Sequence, residues 1–186
     1  MGSDNYDSEI ILWEEFLQGD ANAYNLLMKM FYKDLLFYGQ RFTNDNELVK
    51  DCIQEVFLKL WKTKHKLNRT QFVKFYLLTC LRRQIVSAMD SEKKFFTKNQ
   101  LVFKDSPFVL KDKETEMIAD EVVRERVYFV KKLLDGLPKR QQEILFLTYY
   151  MQADANQISE ILNISKQSVY NLLNEAKKRL RNDNQE

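Results

Sequence analysis

A stripe of amide, phenol and amine side chains near the C-terminal end has the chemistry to bind the edges of DNA bases. Its members recur at helical spacing: Gln167, Tyr170, Asn171 and Asn174, with Lys166 beside them. Amide groups hydrogen-bond base edges in the major groove, and a lysine reaches the phosphate backbone. We therefore expect one face of a helix that begins near residue 166 to contact DNA.

The residues around this stripe predict the helix-turn-helix that would position it. Pro138 precedes one helix, Asp154 is a candidate N-cap for a second, and Asn163 can adopt the left-handed conformation of a tight turn. Ser165 is a candidate cap for the third helix, whose apolar positions recur at spacings of three and four: Val169, Leu172, Leu173, Ala176 and Leu180. An ordinary helical hairpin shares the amphipathic last helix. The tight turn, both caps and the amide face together favour a DNA-binding motif.

A second basic region lies in the middle of the chain. Residues 59–104 contain twelve basic and two acidic side chains, although the formal net charge of the whole chain is only +2. Such a block is typical of a nucleic-acid interface, and a solvated basic helix face is the alternative. Aromatic residues are interleaved with the charges, and rings of this kind stack on unpaired bases. They are Phe72, Phe75, Tyr76, Phe95 and Phe96.

Composition indicates an all-α protein that holds no cofactor. Four glycines and two prolines among 186 residues suit a chain that is almost entirely helical. The two cysteines, Cys52 and Cys80, fall on predicted apolar helix faces, so we expect buried thiols in a reducing compartment, the cytoplasm. No metal site is expected around the single histidine, His65, and no nucleophile–base pair or small-molecule site indicates an enzyme.

Hydrophobic periodicity predicts two helical domains joined by a linker. The first, residues 8–98, contains predicted helices over 8–18, 21–41, 45–64 and 70–94, with a polar loop over 63–70. Residues 99–114 have the composition of a linker, and residues 115–181 form the second domain with the helix-turn-helix.

The predicted third helix has an outward face that mixes charge with one leucine. Its members are Asp51, Gln54, Glu55, Leu58 and Lys62. A single exposed leucine is common on protein surfaces. Among a carboxylate and an amide at helical spacing, Leu58 is equally well interpreted as the apolar centre of a protein-binding face.

Two segments of the chain resemble bacterial RNA polymerase sigma factors. Asp51 to Trp61 reads DCIQEVFLKLW and is similar to the DxxQEVFLxLW segment of their second region; residues 19–24 resemble its start. Residues 137–144 and 158–165 resemble their fourth region. Because the chain has no room for the first and third regions, it looks like the minimal extracytoplasmic-function (ECF) type.

The resemblance implies functions for the features described above. The helix matching 46–62 would dock on the coiled coil of the polymerase β′ subunit through the outward face, and the β subunit is a further implied partner. The −10 promoter element would be contacted and opened by Lys64, Lys66, Asn68, Arg69, Lys74, Arg82 and Arg83. The −35 element would be read by Arg140, Lys166, Gln167, Ser168, Tyr170, Asn171, Asn174 and Lys178. The family also implies a possible anti-sigma partner.

Three departures from the family pattern fall in the second domain or close to the basic helix. Gln152 and Asn163 replace two glycines that are frequent in the family, and Glu175 stands where an arginine is usual. Arg83 and Ser87 occupy positions that often carry Asn and Asp. A carboxylate at position 175 would remove one phosphate contact and repel DNA.

Two other classes of protein share some of these features. A stand-alone helix-turn-helix regulator would form stable homodimers and bind duplex DNA without polymerase. A helical protein-interaction module would have no salt-dependent affinity for DNA.

Overall fold

The computed structural model describes residues 3–92, 130 and 132–182, and the chain divides into two compact units, Met1–Leu101 and Val102–Glu186. The predicted linker over 99–114 and the helical pattern that follows it to residue 129 lie outside the described residues. Within the described ranges every regular element is helical and no strand occurs. The prediction of an all-α protein with two helical domains is confirmed.

Four helices make up the described part of the first unit. They are α1 (Ser3–Leu17), α2 (Ala21–Gly39), α3 (Asn46–Thr63) and α4 (Val73–Glu92), with a 3₁₀ turn, Lys64–Lys66, after α3. Aspartates cap two of them: the Asp20 carboxylate accepts from the backbone N–H groups of Asn22 and Ala23, and Asp45 caps α3 in the same way. Helix α1 begins earlier than predicted, at Ser3.

The core of the first unit is rich in aromatic rings. The largest fully buried side chains include Trp13, Tyr38, Phe16, Phe31 and Phe42. Rings from three helices meet where α1, α2 and α3 approach one another: Tyr24 lies 5.1 Å from Trp61 and 6.0 Å from Phe16 between ring centroids. Such pairs stabilise by edge and offset contacts in addition to the apolar area that they bury.

The second unit contains the predicted helix-turn-helix. Residues 132–135 are helical, followed by α5 (Lys139–Leu145), a π-helical turn (Phe146–Tyr150), α6 (Ala155–Leu162) and α7 (Lys166–Asn182). The helix predicted after Pro138 is found, but the turn that follows Leu145 widens into a π-helix. In that turn the Thr148 hydroxyl donates to the Ile144 carbonyl at 2.8 Å, which offers this carbonyl a side-chain partner.

The helices of the second unit pack through a small apolar cluster and a few buried polar side chains. Leu134, Leu137, Leu145 and Ala176 form one cluster, against which Leu173 and Leu180 are partly buried. The fully buried Gln142 side chain donates to the Leu137 carbonyl at 2.9 Å. This bond ties the start of α5 to the preceding turn, because an amide group buried in the core needs a partner.

Gly39 lies where α2 approaches α3 and α4, and its replacement tests this packing. A Cβ atom at this position would collide with Val49 Cγ1 and lie 3.3 Å from Ile85 Cδ1. We expect Gly39→Ala to lower the free energy of unfolding of the first unit by about 1–2 kcal/mol, since overpacking outweighs the gain in helix propensity. Both tryptophans lie in this unit, so denaturant titration followed by tryptophan fluorescence reports its stability.

Gly136→Ala is the matched control for this substitution. The nearest atom to a Cβ at Gly136 is the Leu133 carbonyl oxygen at 3.5 Å, an ordinary van der Waals contact. Because Gly136 lies in the second unit, unfolding of this variant is followed by helical circular dichroism, and its midpoint should equal that of the wild type. An unchanged midpoint for Gly39→Ala would show that α2 and α3 do not pack as closely as described.

Candidate nucleic-acid interface

The helix-turn-helix is held by a reciprocal cap at its first helix. The Asp154 carboxylate accepts from the N–H groups of Asn156 and Gln157 at 2.7 and 2.9 Å, and Gln157 Oε1 accepts from the Asp154 N–H at 2.8 Å. This capping box satisfies backbone donors that α6 would otherwise leave without partners. The predicted cap at Asp154 is therefore found, with Gln157 as its second half.

The turn between α6 and α7 uses an asparagine in the left-handed conformation. Asn163 has φ 52° and ψ 53°, as predicted, and the Ile164 N–H donates to the Ser159 carbonyl at 3.0 Å. The one other described non-glycine residue with a positive φ is Gln152, at 59°. Both positions therefore adopt a positive φ, which glycine takes at no steric cost and other residues take less readily.

Helix α7 presents the predicted stripe to solvent. Six side chains are exposed along it: Lys166, Gln167, Tyr170, Asn171, Asn174 and Lys178. The opposite side of the helix is buried at Val169 and Ala176. Gln167 Nε2 donates to Asn171 Oδ1 at 3.0 Å, which aligns two amide groups on one face. An amide and a phenol on a protruding helix can donate to and accept from base edges in a major groove.

Two residues predicted with this stripe have structural contacts instead. Ser168 is half-buried, and its backbone N–H and hydroxyl lie 3.1 and 2.9 Å from Ser165 Oγ, as part of the cap of α7. Arg140 Nη2 donates to the Leu162 carbonyl at 3.0 Å, which ties α5 to the end of α6. The sequence prediction grouped both with the exposed stripe, because the spacing of residues along one helix does not show which backbone groups their side chains will bond. Both residues thus have a structural role, and their contact with the −35 element stays a prediction.

Glu175 has a partner that its position in the sequence did not reveal. Its Oε2 accepts from Gln141 Nε2 at 3.1 Å, which links α7 to α5 across a separation of 34 residues. The sequence suggested only repulsion between this carboxylate and DNA. In the folded unit the carboxylate also stabilises the orientation of α7.

The first unit exposes the predicted outward face of α3. Asp51, Gln54, Glu55, Leu58 and Lys62 are all exposed, and Leu58 keeps 48% of its surface in solvent. The other side of the helix is buried in the core through Cys52, Ile53, Val56, Phe57 and Leu60. Charged groups therefore surround an accessible apolar side chain, the arrangement of a small protein-binding surface.

The chain between α3 and α4, here named the 64–70 segment, presents polar side chains on an anchored backbone. Lys66, Asn68 and Arg69 are exposed. Lys64 is half-buried, with Nζ 4.0 Å from the centroid of the Trp61 ring. The Asn68 carbonyl accepts from the indole N–H of Trp13 at 3.1 Å.

Helix α1 thus contributes to this site, which the sequence did not indicate. Besides Trp13, Glu14 Oε1 lies 3.4 Å from Arg69 Nε in an exposed ion pair. No local pattern could reveal either contact, because 55 residues separate the partners in each pair.

Helix α4 presents fewer free cations than the sequence suggested. Arg82 is buried, with 9% of its surface exposed, because it lies on the same side of the helix as Leu78, Leu81 and Ile85. Lys74 Nζ forms an ion pair with Asp34 Oδ2 at 2.8 Å. Arg83 is exposed. Of the interleaved rings, Phe72 is exposed just before the helix and Phe75 belongs to the core, whereas Phe95 and Phe96 lie outside the described residues.

Burial disfavours ionisation of several described groups in the first unit. Burial raises the pKa of Tyr76 to about 12 and also raises the pKa of the Cys80 and Cys52 thiols. Thiols with a raised pKa are protonated and unreactive at neutral pH. Across the described residues no cluster of His, Cys, Asp and Glu side chains suits a metal ion. None of the described helices is long and apolar enough to span a membrane.

Comparison with protein families finds two matches in the expected order. The model of sigma-70 region 2 matches residues 27–95, and the model of sigma-70 region 4 matches residues 130–180. The chain is also similar to the solved structure of CnrH in complex with the cytosolic domain of CnrY, with a TM-score of 0.61 and 14% identity over 94% of this chain and 95% of that one. At that identity the likeness shows the fold. A comparison with curated protein sequences gave no match.

The two family matches together span most of the chain and cover both units. The stand-alone regulator is not favoured, because the first unit matches sigma-70 region 2 rather than a ligand-sensing or dimerisation domain. The sigma-70 family is not a family of enzymes, and its domains imply RNA polymerase and promoter DNA as partners. The chain belongs to the sigma-70 family and is a sigma factor of the ECF type, which directs RNA polymerase in transcription initiation.

Proposed function

We propose that this sigma factor divides promoter recognition between its two units and docks on core polymerase through α3. The observation that supports this most directly is that three polar surfaces are exposed to solvent, although the elements that carry them are packed into the cores of their units. They are the outward face of α3, the 64–70 segment with the start of α4, and the stripe on α7. Each presents the chemistry that one of the three tasks requires.

The outward face of α3 is the proposed docking surface for the coiled coil of the β′ subunit. Leu58 offers an apolar centre, and the Asp51 and Glu55 carboxylates beside it suit a partner that carries basic and apolar side chains. Binding energy in such an interface concentrates in a few central residues that lose their water. The polar neighbours then set orientation and partner choice.

The 64–70 segment and the start of α4 are proposed to contact the opened −10 element. Lys66 and Arg69 provide exposed cations for phosphates, and Phe72 provides an exposed ring for an unpaired base. Arg83 adds an exposed cation midway along α4. Asn68 adds a side-chain amide that can read a base edge. Arg82 and Lys74 support this surface from within the unit.

The stripe on α7 is proposed to read the −35 element in the major groove. Gln167, Asn171 and Asn174 would contact bases, whereas Lys166 and Lys178 would contact phosphates on either side. The two units would then act at separate promoter elements while the polymerase holds them.

Further partners and the place of action follow from the same proposal. Because CnrH was solved with the cytosolic domain of CnrY, we propose that this chain too is held by a protein partner of the anti-sigma class. The β subunit is the proposed second contact on the polymerase. We propose that this chain acts on polymerase and promoter DNA in the cytoplasm.

Replacing Leu58 tests the docking surface. We expect Leu58→Glu to weaken binding to bacterial core polymerase at least about tenfold, because a charge replaces the apolar centre of the interface. Binding is measured by competition against a fluorescently labelled wild-type chain. Leu26→Glu is the matched control, since Leu26 is 49% exposed on another helix of the same unit and Leu58 is 48% exposed. Equal loss in both variants, or none in either, contradicts the assignment.

Replacing the paired amides on α7 tests base reading. Gln167→Ala with Asn171→Ala should reduce discrimination between a −35 sequence selected from a randomised pool and a scrambled one by about 1–3 kcal/mol per lost contact. The measurement compares the binding of the two duplexes to polymerase reconstituted with each variant.

Lys178→Ala provides the contrasting variant on the same helix. A phosphate contact carries no sequence information, so this variant should bind both duplexes more weakly and lower the slope of log affinity against log salt by about one. If the amide variant loses affinity for both duplexes equally, its residues do not read bases.

A further inference from the structure

We infer that α1 is a positioning element for the 64–70 segment, and that the Trp13 indole is the residue that holds the segment in its DNA-contacting shape. This inference rests on the proposed role of the segment at the −10 element. Trp13 itself would touch neither DNA nor polymerase. It would act through the backbone at Asn68.

The central contact is one hydrogen bond between a buried donor and the backbone of the segment. Trp13 is 1% exposed, and its Nε1–H donates to the Asn68 carbonyl oxygen at 3.1 Å. An indole N–H withdrawn from water needs an acceptor, and a backbone carbonyl outside regular helix needs a donor. Each group satisfies the other, so this bond fixes the segment at its middle.

The indole is itself held firmly, which makes it a suitable anchor. Its ring centroid lies 5.2 Å from that of Phe16 in α1 and 5.6 Å from that of Tyr76 in α4, the latter in an edge-on arrangement. Rings packed on both sides leave the side chain in a single orientation. The position of Asn68 is therefore tied to the packing of α1 against α4.

Two further contacts connect α1, or the residues just after it, to the first and last parts of the 64–70 segment. The side chain of Lys64 passes Gly19, whose Cβ position would lie 3.5 Å from Lys64 Cε. Arg69 forms its ion pair with Glu14, one residue after Trp13. An exposed pair contributes little to stability, so the hydrogen bond is the stronger anchor. Together the contacts reach the start, middle and end of the segment.

Anchoring the backbone leaves the side chains available to DNA. Lys66, Asn68 and Arg69 are exposed although the carbonyl of Asn68 is bonded inward. The first half of the segment is ordered by the 3₁₀ turn at Lys64–Lys66, which the bond from the Leu67 N–H to the Lys64 carbonyl closes. Residues 68–70 follow outside regular structure, where the Trp13 bond is the described contact that holds the backbone. A segment that is already ordered does not lose that conformational freedom when it binds.

Removing the indole donor tests the inference. Trp13→Phe keeps an aromatic ring and removes the N–H donor. The probe is a fluorescent single strand that carries a −10 sequence selected from a randomised pool. We expect this variant to bind the strand about three- to tenfold more weakly. Polymerase reconstituted with the full chain is used, and core affinity should stay unchanged. Hydrogen exchange of the free chain should show faster exchange at residues 66–70. Tyr24→Phe is the control for a conservative change in the same ring cluster, since Tyr24 packs on Phe16, Phe57 and Trp61, and it should leave strand binding and exchange at 66–70 unchanged.

An isosteric replacement separates positioning from loss of packing. If Trp13→Phe lowers the unfolding midpoint, benzothienylalanine at position 13, which keeps the bicyclic ring and replaces N–H by sulfur, removes the donor alone. Faster exchange at 66–70 with weaker strand binding supports the inference. Wild-type exchange and wild-type strand binding for this variant would overturn it.

Lys66→Ala distinguishes failure of the inference from failure of the proposed function. Weaker strand binding by Lys66→Ala together with wild-type behaviour of the position-13 variants would mean that the segment contacts DNA without needing the anchor. Wild-type strand binding by all of these variants would remove the segment from the −10 contact altogether, and the inference with it.

Discussion

Burial of aromatic rings between α1, α2 and α3 is the interaction on which the first unit depends. Trp13 and Phe16 from α1, Tyr24 from α2 and Trp61 from α3 lie within 6.4 Å of a neighbouring ring centroid. Large rings bury more apolar area than any other side chains, so they dominate the packing energy. Because Trp61 packs into this cluster, α3 keeps the rotation that its apolar periodicity predicts, and Leu58 with its polar neighbours faces solvent.

The second unit forms its tight turns with residues other than glycine. Both of its tight positions, Gln152 and Asn163, have a positive φ, which costs a side chain some steric energy. The surrounding bonds compensate: Gln152 Nε2 donates to the Tyr149 carbonyl at 2.7 Å, and the capping box at Asp154 starts α6 directly afterwards. Caps and side-chain bonds on both sides of the turn thus hold α7 against α6.

Charge in the sequence overstates the charge available to nucleic acid. In the basic block, Lys74 is paired with Asp34, Lys64 lies over the Trp61 ring and Arg82 is buried. Long cationic side chains stabilise their own unit in this way, through their stems as well as their charges. The proposed −10 surface is therefore smaller than the basic block.

One carboxylate in the second unit also has a structural role that its sequence position did not reveal. From its place on α7, Glu175 was expected only to weaken DNA binding, but its side chain accepts a hydrogen bond from Gln141 and links α7 to α5.

The sequence by itself determined the helical class, the outward faces of α3 and α7, the Asp154 cap and the left-handed turn at Asn163. These features depend on residues a few positions apart, and helical periodicity with capping chemistry is a local property. Only the tertiary structure decided that Trp13 anchors Asn68 and that Arg140 holds the end of α6. Those outcomes depend on which helices meet in three dimensions, and no spacing within a single helix records the partner that burial will supply.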